Sequence, residues 1–73
     1  MEQLNWDATY AIVLELMREH PRIELDTISL KHLYQMVIAL PGFSDDPALA
    51  TEEILKEIYR IWYEESIHDN KRT

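Results

Sequence analysis

Apolar residues recur at helical spacing along most of the chain. Between Ala8 and His20, Tyr10, Val13, Leu14 and Met17 fall at i, i+3, i+4 and i+7. Ile12 and Leu16 widen that arc, which predicts a first helix buried on more than one side. Asp7 stands where an N-cap belongs, and Pro21 ends the segment because the residue before a proline is pushed out of the helical region. A second stripe, Leu30, Leu33, Tyr34, Val37 and Ile38, predicts a helix from Leu30 to Leu40, with Asp26 and Ser29 competing to cap it. Pro41-Gly42 closes it, the glycine suiting a left-handed C-terminal position. Thr51 caps a third helix, with Glu52 and Glu53 in its first turn, where the macrodipole favours anions. That helix is predicted to reach about Ser66 and to bury Ile54, Leu55, Ile58, Ile61 and Trp62.

The connectors are short and marked by proline. Arg22–Ile28 shows no strand alternation, and Asp46-Pro47 reads as the N-cap and first residue of a helical turn through Leu49. Leu4 and Trp6, in the lead-in, are expected to tuck onto the domain. With no repeat, low-complexity tract or internal linker, the prediction is one all-α domain over residues 1–68, a compact helical bundle, with residues 69–73 a frayed polar tail. Its predicted core includes Trp6, Ile12, Leu16, Leu33, Val37, Phe43, Ile54, Ile58, Ile61 and Trp62.

Charge narrows the function. Fourteen acids against seven bases leave a net charge of −7 in 73 residues. That argues against nucleic acid and anionic membranes, which need a basic footprint, and favours a basic partner or cations. The absence of cysteine removes disulfides, thiolate nucleophiles and thiolate-ligated zinc. No apolar run approaches a membrane span and the N-terminus lacks signal-peptide order, so the expected compartment is the cytoplasm. A single glycine leaves no phosphate-binding loop, and so short a chain has little material for a walled pocket. The expectation is a monomeric, non-catalytic binding or regulatory module.

Several acidic positions carry candidate chemistry. Asp45-Asp46 is the densest acidic pair on a loop, able to accept from arginine or to bind a hard cation, while Asp46 also suits capping. Glu64-Glu65, in the last turns predicted for the third helix, oppose the macrodipole, and such a locally unfavourable choice hints at function. His68, at i+4 and i+3 from them, would share their face in a candidate divalent-metal site. Glu15 and Glu19 are like charges at i, i+4, with Arg18 and Arg22 near enough to relieve them. Glu52 with Lys56, and Glu57 with Arg60, read as pairs on a solvated face. Trp6, Phe43 and Trp62 suit the core better than an aromatic recognition patch. Tyr59 and Tyr63 are expected to border the buried face with hydroxyls outward. His20 reads as a helix-end residue and His32 as a surface one.

Leu4-Asn5-Trp6-Asp7, His20-Pro21, the Leu40-Pro41-Gly42-Phe43-Ser44-Asp45-Asp46-Pro47 connector, Ile54-Leu55 and Trp62-Tyr63-Glu64-Glu65 follow one another at characteristic spacings. In that order they resemble the IscX family of small acidic iron–sulphur cluster assembly accessory proteins, from about Leu4 to Glu65. The resemblance implies a modified winged-helix (helix-turn-helix-like) fold. It implies binding of the cysteine desulfurase that supplies sulphur, through an acidic face, and weak binding of ferrous iron (Fe2+) on that face. The positions that match the family's acidic motifs are Asp45, Asp46, Glu52, Glu64 and Glu65 for the partner. Asp7, Asp45, Asp46, Glu64 and Glu65 are the candidate iron ligands. The chain departs from the family pattern at Arg22 and Ile23, where an Asp-rich stretch is usual, at Ser44, where a third acid is frequent, and at Glu15, where alanine is common. The alternative of a helix-turn-helix-like transcription module is opposed by the charge, since Lys31 alone on the second helix offers a phosphate contact.

Overall fold

The computed structural model describes residues 3–72, with side chains through Ile67. Three helices, α1 (Thr9–Glu19), α2 (Leu30–Ile38) and α3 (Glu52–Arg72), are separated by 3-10 turns at Leu25–Thr27 and Pro47–Leu49. The all-α expectation holds. Among the described residues no β-hairpin forms that would serve as a wing; the one extended pairing is a parallel bridge between Leu4 and Phe43.

The core is built where the helices meet. Ile12, Val13 and Leu16 of α1, Leu33, Met36 and Val37 of α2, and Leu55, Ile58 and Trp62 of α3 interlock there, with Leu4, Trp6, Leu25 and Leu40 closing its edges. Of the predicted core, Phe43, Ile54 and Ile61 are only partly buried, packed against the rim of this cluster. No polar or charged side chain is buried among the described residues, so the interior carries no desolvated group.

The first helix turns a different face inward than the one its periodicity favours. Ile12, Val13 and Leu16 are fully buried, while Tyr10 and Leu14 remain 53% and 46% exposed. Thickness explains this: the shortest Cα extent is 16 Å, and two packed helices with axes about 8–10 Å apart already fill it. No third layer exists to cover the other side of α1, so only one of its two apolar stripes can be buried.

The helix ends refine the sequence expectations. Asp7 does not cap α1. A turn closed by Ala8 N–H donating to the Asn5 carbonyl (3.0 Å) shifts the start by one residue, leaving Ala8 as an N-cap without a side-chain bond. Ser29 wins the competition at α2, accepting from His32 N–H (3.1 Å), while Asp26 lies in the 3-10 turn. The second helix ends at Ile38, and Leu40–Phe43 forms a turn closed by Phe43 N–H to the Leu40 carbonyl (3.0 Å). Gly42 does not adopt positive φ there, contrary to the expected left-handed cap. A turn with Pro41 and Gly42 at its centre and no positive φ is of type I, which needs no glycine. The third helix continues to Arg72, past the expected Ser66, because no proline or glycine follows to stop it. Of the expected frayed tail, residues 69–72 have helical backbone, while their side chains and Thr73 lie outside the described residues.

Candidate functional site

The acidic positions fall in two regions. In the first, the lead-in is clamped to the connector before α3. Leu4 N–H donates to the Gly42 carbonyl (2.8 Å), and Ser44 N–H donates to the Leu4 carbonyl (2.9 Å). One residue pair further on, Trp6 N–H donates to Asp45 Oδ2 (3.1 Å) and the indole Nε1–H to the Asp46 carbonyl (2.8 Å). The indole is 3% exposed. It lies edge-on to Phe43, ring centroids 4.9 Å apart, and parallel to Tyr34 at 6.2 Å.

Each connector carboxylate therefore already holds backbone. Asp45 also accepts from Asp46 N–H through Oδ1 (2.7 Å), and Asp46 Oδ1 accepts from Ala48 N–H (2.9 Å), the cap predicted for the Pro47–Leu49 turn. The bond from Trp6 to Asp45 joins residues 39 apart, so no local pattern announces it. Asp7, exposed and adjacent to Trp6, shares this edge.

The second region is the solvent face of α3. Thr51 Oγ1 accepts from Ile54 N–H (3.1 Å), the predicted cap. Glu52 pairs with Lys56 (3.5 Å), and Arg60 bridges Glu57 (2.7 Å) and Glu64 (3.1 Å). The Arg60 guanidinium is held above its ordinary pKa by the hydrogen bond it donates to Glu57, then by the charges of Glu57 and Glu64. A raised arginine pKa stabilises the fold fully below its ordinary value and is lost only as pH rises through the folded one, so it adds no pH dependence near neutrality. Because α3 runs to Arg72, Glu64 and Glu65 sit well inside the helix. They are therefore too far from the C-terminus for the macrodipole to disfavour them. Glu52 and Glu64, twelve residues apart on this helix, are separated by about 18 Å along its axis.

The remaining candidates are placed individually. On α1, Arg18 engages both Glu15 and Glu19, and its own pKa is raised, first by the Glu15 hydrogen bond; among the described ion pairs Arg22 takes no part. Tyr59 turns its hydroxyl inward, against expectation, and donates to the Leu25 carbonyl (2.8 Å), anchoring the first connector to α3. Tyr63 stacks near it, centroids 6.4 Å apart. His20 caps the C-terminus of α1, and it meets exposed His32 at a shared cavity of about 350 Å³ beside Gln35 and Met36. Carboxylates are the right donors for a hard cation, yet among the described residues no three His, Asp or Glu side chains converge to hold a metal ion. The His68 side chain lies outside the described residues. No described helix is long and apolar enough to cross a membrane.

These features define a thin, three-helix protein with an uncharged core, an acidic exterior and side-chain chemistry confined to its surface. Residues 4–66 match the family described as iron-sulphur cluster assembly, and the chain belongs to that family, as the resemblance to IscX indicated. An uncharacterized protein of Pseudomonas aeruginosa is 32% identical over 62 residues, covering 85% of this chain and 94% of that relative. No solved structure matches the chain significantly. Membership indicates a role in iron–sulphur cluster assembly.

Proposed function

We propose that this chain is a cytoplasmic, monomeric accessory protein that binds the cysteine desulfurase of cluster assembly through its acidic surface and carries ferrous iron weakly. The observation that supports it best is the charge distribution on this family member. Asp7, Asp45 and Asp46 gather on one edge with no ion pair among the described residues, while the cations Arg18, Lys56 and Arg60 are each engaged by carboxylates. A basic partner surface would meet an uncompensated field there, which speeds encounter and discriminates against acidic partners. Iron, as cargo, would take oxygen ligands from Asp7, Asp45, Asp46, Glu64 or Glu65 with water completing its shell. The scatter of these groups and the absence of thiolates favour weak, exchangeable binding.

Calorimetric titration with the purified desulfurase across a salt series tests the partner. Affinity should fall steadily as ionic strength rises past physiological, where the Debye length drops below about 8 Å. Binding that ignores salt would contradict the reading. For iron, anaerobic titration should give low affinity that declines as the five acids are neutralised, and a single tight site would refute it.

A further inference from the structure

Tyr10 and Leu14 lie at i, i+4 on the outer side of α1, 53% and 46% exposed, although their spacing is that of core residues. Beside them is a cavity of about 380 Å³ between α1 and the clamped lead-in. Leu4, Ala11, Leu14 and Pro41 form its apolar walls, and the Glu15–Arg18 pair stands at its rim. That volume is at the small end for a ligand pocket and suits a protruding side chain better than a cofactor. Apolar surface of this kind beside a concavity marks a contact site.

Charge selects the occupant. Glu15 at the rim and Glu19, which shares Arg18 with it, leave this face net negative, and a second copy would bring its own charge of −7 against it. We infer that the outer face of α1 is an apolar docking site for a basic protein surface that inserts one large apolar side chain into the cavity beside Leu14. This rests on the proposed reading of function and deepens it: the desulfurase would be held by the acidic edge and by an apolar anchor on α1.

The test is titration of purified cysteine desulfurase with the wild type and with a Tyr10→Ala/Leu14→Ala variant, at low and high salt. Alanine keeps helix propensity, and both residues are outside the core, so the variant should retain its fold. Affinity should drop about tenfold at both salt concentrations, the loss expected for two half-exposed apolar side chains, with an unchanged salt slope. In the unaltered chain, Leu4 and Leu14 methyl resonances should shift on adding the desulfurase. Wild-type and variant affinities that coincide, with unmoved methyls, would overturn the docking site and leave the acidic reading standing. No binding by the wild type would overturn both. Sedimentation showing a wild-type dimer that the variant dissolves would assign the face to self-association and overturn the inference.

Discussion

Asp45-Asp46 on the connector and Glu64-Glu65 on α3 are both adjacent acid pairs, and in sequence they invite one explanation. In the fold, the connector acids accept backbone N–H groups of Trp6, Asp46 and Ala48, whereas among the described residues Glu64 meets only the exposed guanidinium of Arg60. The connector pair thus holds the lead-in in place, and any charge it presents to a partner comes from groups that are also structural. Neither α3 acid accepts a backbone N–H among the described residues, Glu64 being exposed and Glu65 half-buried. Substitutions at the connector will change stability and binding together; a substitution at exposed Glu64 changes stability little and reports mainly on binding.

The largest effect that sharpens this contrast is at Trp6. Trp6→Ala should cost about 3–5 kcal/mol, a large part of the roughly 4–11 kcal/mol expected for a domain of this length. Urea unfolding measures it, and hydrogen exchange at Ser44 N–H should accelerate because the clamp opens. Trp62→Ala, 1% exposed at the core, should cost about as much without selectively loosening the connector. Equal exchange at Ser44 in the two variants would break the assignment of the clamp to Trp6.

Asp45→Ala should cost about 1–2 kcal/mol, since it strands two backbone donors at a partly exposed site. Asp46→Ala, a cap deletion, should cost about 1 kcal/mol. At the small end, Glu64→Gln should change stability by less than about 0.5 kcal/mol, as exposed pairs contribute little. Thermal melts order the series, and a Glu64→Gln penalty equal to that of Asp45→Ala would erase the distinction between the regions.

What could be read from the chain beforehand follows the range of the forces involved. The caps Ser29, Asp46 and Thr51 were legible because each bonds an N–H two or three residues away. The stripes of α2 and α3 were legible because each helix has one apolar face. On α1 two apolar stripes competed, and only the number of layers in the folded molecule decided between them. The Trp6–Asp45 and Tyr59–Leu25 bonds span 39 and 34 residues. They pair groups that have no reason to meet until the helices pack. The family's acidic positions were legible as motifs, but their division into structural and free carboxylates needed those long-range bonds.

The most direct test uses charge where it does not support the fold. Glu64→Lys/Glu65→Lys should melt within a few degrees of the wild type, given roughly 4–8 °C per kcal/mol in a domain of this size. Its affinity for the purified cysteine desulfurase at low salt should be about tenfold weaker, converging on the wild-type value as salt is raised. Unchanged affinity at low salt, with the fold intact, would contradict the claim that Glu64 and Glu65 of α3 help to hold the partner.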